Sequence, residues 1–261
     1  MIVRWSIGRP DQNMPEDILV QLSVLIARHP WFQARARLAV ALLERMSVRP
    51  PARVLDVGCG WGLNLAALER RGYRAVGLDV SRRALELLDR PGRRLLEADL
   101  TQPLPPDAEP YDAVLALDVI EHLDDDRGAV ARLARLTSPG GVAVVSVPAL
   151  PELFSEFDSV QGHRRRYLPD ALRRAFVDSG LVVERILWWG SWLVPLLRRR
   201  RARSRGRADD SPAAIYRRHL ALPPWPAPLA LRLGLALEQS RTLRYKPRIG
   251  TSLVALARRP A

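Results

Sequence analysis

The sequence holds one cysteine, Cys59, and one lysine, Lys246, in 261 residues. A lone thiol cannot form an internal bridge, so a disulfide scaffold is excluded and a reducing, cytoplasmic setting is expected. The opening residues, MIVRWSIGRPDQN, lack an apolar stretch followed by a small-residue cleavage site, so no secretory signal is expected. No internal repeat occurs at the periods of solenoid proteins. Acidic residues are scarce at one end, with only three among the last 71 positions.

What remains is ordinary in bulk. The chain is 48% apolar and 26% charged, which excludes global disorder. At this length roughly 70–75% of the unfolded surface is hidden on folding, and one domain with an extension is expected. The charge is uneven. Residues 1–190 carry 25 basic and 25 acidic side chains, whereas residues 191–261 carry 16 basic against three acidic, the whole of the net +13. Such a field suits nucleic acid, an anionic membrane or an acidic substrate. Its densest part, Arg198–Arg207, is expected to be extended and solvated by self-repulsion.

Along the chain, two helices are expected first. Asn13 suits a cap, Pro15 an early helical position, and Glu16 and Asp17 the positive helix end. Ile18, Leu19, Leu22, Leu25 and Ile26 then share one face, His29-Pro30 breaks the run, and a second helix spans residues 31–46. From position 53 the period shifts. Strands are expected at 53–57, 75–80, 93–97, 112–117 and 142–147, with helices at 63–71, 81–89 and 127–136 between them. Strands at 181–187 and 250–257 would close the sheet. The alternation implies an α/β fold with a parallel sheet and helices on both faces.

The first strand feeds Asp56 directly into Gly58-Cys59-Gly60-Trp61-Gly62. Glycines there permit a tight turn and close approach of a ligand to bare backbone, and the next helix offers free N–H groups. Asp79 ends the second strand, where a carboxylate can hold the two hydroxyls of a ribose. The dinucleotide pattern G-x-G-x-x-G would need glycine at position 63, which is leucine. A nucleoside cofactor other than a dinucleotide is expected.

These residues resemble the class I S-adenosylmethionine-dependent methyltransferases. VLDVGCGWG, GLDV, EADL, LDVIEHL and SPGG are similar to that family's motifs and fall in its order over residues 53–147. The resemblance implies a Rossmann-like, seven-stranded sheet and S-adenosylmethionine as cofactor. It further implies that Asp56, Gly58, Gly60 and Gly62 hold the methionine end, and that Asp79 binds the ribose with Val80 against adenine. Asp99 would meet the adenine amino group beside Leu100, and Leu117 with Asp118 would separate cofactor from acceptor. The flanks are similar to a bacterial type-11 subgroup in His29-Pro30-Trp31-Phe32-x-x-Arg35, in Ser146–Ala149 through Gly162–Tyr167, and in Gly250–Arg259. Relatives in that subgroup act in quinone, lipid or envelope-glycan modification or have no assigned role. By this analogy Arg35 clamps the cofactor's carboxylate. The organisation expected is an N-terminal helical cap (1–50), a methyltransferase core (51–190), a basic, apolar insertion (191–249) and a final core strand (250–261).

Methyl transfer to oxygen needs positioning and removal of a proton. His122 is either that base or a helix-start residue shaping the pocket. His163, followed by Tyr167, is a second catalytic candidate, or else a structural turn bonded to acidic neighbours such as Asp158. Asp124, Asp125 and Asp126 read as a helix cap rather than a metal site, and no metal is expected. Cys59 sits in the cofactor loop, away from where a nucleophile would be needed.

The stretch Ile186–Leu197 is twelve uncharged residues followed by four arginines, too short for the about 20 residues of a membrane span. Pro226–Leu243 is a second greasy stretch; the family resemblance implies a helix there, although its leucines at 229, 231, 233, 235 and 237 alternate with a period of two rather than a helical one. Both segments suit either a lid on the acceptor pocket or an anionic membrane surface, with the enzyme peripheral at the inner face of the membrane. The expected activity is O-methylation of a small-molecule, quinone, lipid or glycan-linked acceptor. An RNA methyltransferase is the alternative, less favoured because the basic region lacks interleaved aromatics that stack bases. A cofactor-free scaffold is a third reading, opposed by the intact glycine loop.

Overall fold

Strand residues 113–117 and 142–147 are apolar at every position but Ser146, as befits strands buried on both faces. The computed structural model describes residues 1–6, 16–203, 211–222, 225–245 and 247–261. In chain order its elements are β1 (Ile2–Arg4), α1 (Glu16–Arg28), α2 (Pro30–Arg45), β2 (Arg53–Val57), α3 (Leu63–Arg70), β3 (Arg74–Asp79), α4 (Arg82–Leu88), β4 (Arg94–Glu97) and β5 (Tyr111–Leu117). There follow α5 (Asp126–Leu136), β6 (Thr137–Pro148), α6 (Glu156–Val160), α7 (Pro169–Ala175), β7 (Val182–Trp189), α8 (Leu193–Arg203), α9 (Pro212–Leu220), α10 (Ala227–Tyr245) and β8 (Ser252–Arg258). The sheet order is β1-β4-β3-β2-β5-β6-β8-β7, with β8 antiparallel to both its neighbours and the other pairs parallel.

Alternation along the strands sends side chains to two cores. Leu55, Val114, Ala116 and Val145 pack with Leu133 of α5 and Leu172 of α7. Val54, Ala113, Leu115 and Val144 pack with Leu42 of α2, Leu68 of α3 and Leu235 of α10. This is the Rossmann-like architecture with helices on both faces.

Three expectations change. The sheet has eight strands, because Ile2–Arg4 pairs in parallel with β4, and the N-terminal segment is more than a helical cap. Ile2 and Val3 suit a strand, and β4 would otherwise present an unpaired edge. Arg4 secures the pairing by an ion pair with Glu97 at 3.0 Å. Next, Ile186–Leu197 is not one surface segment. Its first four residues belong to β7, Gly190 turns the chain at φ +78°, and Leu193 starts α8. Finally, Arg198–Arg203 continue α8 rather than extending into solvent. Positive charge at a helix C-terminus is favoured by the helix dipole, and Val194 anchors the other end of α8 in the core. Residues 204–207 of the arginine run, and the expected cap at Asn13 with Pro15, lie outside the described residues.

Other junctions follow the sequence. His29 caps α2, its Nδ1 accepting from the Trp31 amide at 3.2 Å, so His29-Pro30 ends one helix and starts the next. Asp125 caps α5 through the Gly128 amide at 2.8 Å. The described residues of 191–249 contain α8, α9 and α10, between the last two strands. Glu238 of α10 accepts from both the amide and hydroxyl of Ser191, and the stacked rings of Trp31 and Trp189 (4.1 Å) join α2 to β7.

Candidate active site

The glycine loop runs from the end of β2 to the start of α3, and its three glycines do different work. All have positive φ: +67° at Gly58, +46° at Gly60 and +71° at Gly62. A Cβ at Gly58 would stand 2.6 Å from Val119 Cγ2. At Gly60 nothing but the Gly58 carbonyl, 3.9 Å away, would be near, so its bare backbone faces open space. Gly62 does not line that space. A Cβ there would meet Leu88 of α4 at 2.6 Å, so this glycine seats the loop on a neighbouring helix rather than holding a ligand.

Asp79 turns toward the loop. Its Oδ2 accepts from the Gly60 amide at 2.8 Å and its Oδ1 from the Ser81 amide at 2.9 Å. Asp56 lies beneath, fully buried, with Oδ1 bonded to Asn64 and Oδ2 without a partner. Burial pushes its carboxyl up to about 7. Cys59 is buried over β3, where a Cβ at Gly77 would strike its Sγ at 2.9 Å, and burial pushes its thiol well up. That is the environment of an inert thiol.

Above the loop opens a cavity of about 1700 Å³. Of the residues expected at the site, Gly58, Gly60, Asp79, Val80, Asp99, Leu100, Leu117, Asp118, Arg35, His122 and His163 line it. Asp99 is set by its own turn, Oδ1 accepting from the Thr101 amide at 2.7 Å. Asp118, at φ +58°, accepts from Ser146 at 2.9 Å and pairs with the Arg35 guanidinium. Arg35 also lies 5.3 Å from the ring of Phe32.

Beyond Asp118 the cavity reaches a polar cluster. His122 closes the turn Ile120–His122, and its ring meets His163 edge-on at 4.7 Å. Burial, and then the neighbouring His163, pull the His122 imidazole down to about 4, so it is neutral near pH 7. His163 bonds through Nδ1 to Asp158 at 2.9 Å, and its Nε2 lies 4.0 Å from Glu121. Burial alone would raise the Asp158 carboxyl. The bonds from His163 and Arg166 outweigh it and hold Asp158 well below the usual carboxylate range. Glu121 is 0% exposed with neither oxygen hydrogen-bonded, and burial and then Asp118 push it well up. Among the described residues, Glu121, His122 and His163 bring donor atoms within 4.8 Å of one another, a set with the chemistry to hold a divalent cation or relay a proton.

Tyr167 departs from expectation. It does not line the cavity; its ring is buried in the core and its hydroxyl donates to Asp126 at 2.9 Å. Burial, and then that bond, push its phenol far up, away from any role as a base. Asp126 in turn faces Arg165.

The profile of a methyltransferase-domain family matches residues 31–186. The chain belongs to that family. The methyltransferase is 37% identical over 100 residues to a ubiquinone biosynthesis O-methyltransferase of Alkalilimnicola ehrlichii, covering 36% of this chain and 40% of that protein. The chain spans about half the length of the curated relatives it matches. Among solved structures it resembles the [4+2]-cyclase SpnF at 19% identity, TM-score 0.61, over 98% of both chains. It also resembles a phosphoethanolamine N-methyltransferase of Haemonchus contortus solved with S-adenosylhomocysteine, at 18% identity and TM-score 0.54, over 85% of this chain and 52% of that one. At these identities the structures show the fold alone, a class I S-adenosylmethionine-dependent methyltransferase fold.

The residues present fit the family's cofactor. The methyltransferase offers an open Gly60 backbone beside the Asp79 carboxylate and, on Arg35 of the cavity lining, a buried Nε without a partner, while Asp56, expected at the methionine end, lies behind the lining. Sequence reasoning missed Asn64, which holds Asp56, and Ser146, which holds Asp118. It also passed over Glu121, although a carboxylate inside LDVIEHL, between isoleucine and histidine, was the available signal.

Proposed function

We propose that this methyltransferase uses S-adenosylmethionine to methylate a hydroxyl oxygen of an acceptor with an apolar portion. One observation carries the reading. Two residues of a single cavity's lining carry buried polar atoms without partners, Arg35 Nε and His122 Nδ1, and directly behind the lining, next in sequence to Val57 and His122, Asp56 Oδ2 and both oxygens of Glu121 are unpartnered as well. Each such orphan costs roughly 1–3 kcal/mol, so a run of them suits a site that ligands complete.

In this reading Asp79 takes the ribose, with Val80 and Leu100 beside the base and Asp99 at its amino group. Gly58 and Gly60 take the methionine end, and Arg35, steadied by Asp118, its carboxylate. Bound S-adenosylmethionine supplies a methyl on a sulfonium and leaves as the neutral thioether. His163 is the base. Asp158 fixes its Nδ1 as the donor, leaving Nε2 to take the proton as the acceptor oxygen gains the methyl. His122, neutral and edge-on to His163, lines the same end and orients the acceptor.

The apolar portion of the acceptor is argued from volume and lining. About 1700 Å³ exceeds the roughly 300–1000 Å³ of ordinary small-molecule sites. The lining includes the apolar Ile26, Phe32, Trp192, Leu196 and Leu231. The naming of relatives as ubiquinone biosynthesis O-methyltransferases supports a quinol-like or lipid-linked hydroxyl. The test is titration calorimetry with S-adenosylmethionine, followed by tritium transfer from labelled cofactor to quinol, lipid and glycan fractions. Tight binding with label on a hydroxyl of an apolar acceptor is expected; label on nitrogen or carbon, or no cofactor binding, overturns the reading.

A further inference from the structure

Six of the large apolar side chains that stand exposed among the described residues fall between positions 192 and 237: Trp192, Leu196, Trp225, Leu229, Leu233 and Leu237. They are not scattered. Leucines spaced by two along α10 divide, in a helix of 3.6 residues per turn, into two opposite faces. Leu231 and Leu235 turn inward to the core against α2, while Leu229, Leu233 and Leu237, each four residues apart, form a stripe facing out. Leu237 is 69% exposed, and Trp225, just before the helix, is 76% exposed. Gly234 lets Trp192, just before α8, lie against α10, where an added Cβ would be 3.3 Å from its ring, so Trp192 continues the surface, and the exposed Leu196 follows one turn later on α8.

The charges around this ridge have one sign. Arg232 and Arg241, both exposed, fall on opposite flanks of the leucine stripe, and Arg199 follows Leu196 on α8. Among the described residues of 191–249 the sole carboxylate is Glu238, which is 3% exposed and turned inward onto Ser191. An exposed apolar stripe between arginines, with no outward acid among the described residues of 191–249, complements a surface that is anionic at one depth and hydrocarbon at the next. Nucleic acid would satisfy the arginines and leave the leucines in water. No described helix is long and apolar enough to cross a membrane, so the contact is with the surface layer.

We propose that α8 and α10 form a docking face for an anionic phospholipid bilayer, with Trp225, Leu229, Leu233 and Leu237 entering the acyl boundary and Arg199, Arg232 and Arg241 meeting lipid phosphates. Trp192, Leu196 and Ala230 belong both to this surface and to the cavity lining, so the docked cavity opens beside the lipid. The docking itself does not depend on which acceptor is methylated.

The test is co-sedimentation of the full chain with vesicles of phosphatidylcholine alone or mixed with phosphatidylglycerol. Binding to the anionic vesicles is expected, about tenfold or more above neutral ones and weakened by salt. The variant Leu229→Ser/Leu233→Ser/Leu237→Ser should lose about tenfold or more in vesicle affinity while S-adenosylmethionine titration shows an unchanged cofactor site. Arg232→Gln/Arg241→Gln should abolish the preference for anionic over neutral lipid. Undiminished vesicle binding by the leucine variant overturns the proposal. So does a concentration-dependent dimer that the same variant abolishes in the absence of vesicle binding, because a second copy then covers the face. Tight RNA binding without vesicle binding overturns it too.

Discussion

At one end of the cavity, Gly58, Gly60, Asp79 and Asp99 lie at or just after the ends of β2, β3 and β4, three adjacent parallel strands of the sheet. At the other, His122, His163, Trp192 and Leu231 come from elements spread over roughly the second half of the chain. The first end is held by backbone: Asp79 binds the Gly60 amide, and Gly58 packs under Val119. The second is held by side chains binding side chains, Asp158 to His163 and Arg166, and Asp118, tied to Arg35 and Ser146, stands between the two ends. The cofactor end is therefore a property of the fold, whereas the acceptor end is a property of this chain.

The sharpest break between the two is expected at His163. His163→Ala should lower kcat by about a thousandfold, within the range of lost acid–base catalysis, while calorimetry finds cofactor affinity within about twofold of wild type. Parallel losses in both would show that the two ends are not separable. Next comes a pH effect confined to the cofactor end. Folded Asp56 keeps its proton to about pH 7, whereas the unfolded carboxyl releases it near 3.8, so folding takes up a proton between those values. The contribution of Asp56 to the stability of the cofactor-free protein should fall by on the order of 3–4 kcal/mol from pH 4 to 7 and then level off, read as the difference between wild type and Asp56→Asn because the neutral His122 acts in the opposite sense over the same range. Urea titrations of both proteins across pH measure that difference.

Asp79→Ala removes the acceptor of two amide hydrogen bonds along with the proposed ribose contact. Its cofactor affinity should drop about a hundredfold, with the vesicle binding proposed for α8 and α10 left intact. Loss of both would mean that the loop and the insertion fold as one unit. The smallest effect is expected where the insertion meets the body through an ion pair. Arg198 and Glu152 pair at 2.8 Å with both side chains about half exposed, so Arg198→Ala should shift urea stability by less than about 0.5 kcal/mol. A larger shift would make that contact a real clasp on the cavity mouth.

Much of the cofactor end was legible because its parts are local. A strand, a glycine turn and a carboxylate at the next strand end are neighbours in sequence as well as in space. The acceptor end was legible only in fragments. His122 and His163 each stood out as imidazoles, but their contact at 4.7 Å depends on the segment after β6 folding back over the turn before α5. Tyr167 illustrates the reverse: close to His163 in sequence, it points into the core because its backbone bonds to Pro148 and Leu150. Gly62 looked like Gly58 and Gly60, yet its neighbour is Leu88 of α4, a contact no local pattern reveals.

The basic region shows the same division. Charge counts placed the net charge in residues 191–261, and local patterning showed a glycine loop on an α/β core, because charge counts and short-range turn chemistry need no distant partner. The tertiary structure decided the eighth strand, the division of Ile186–Leu197 between sheet and helix, and the face of α10 that is left open. A period-two leucine pattern is ambiguous by itself. It acquires two faces only when the chain is wound as a helix, and one of them becomes a surface only when α2 covers the other.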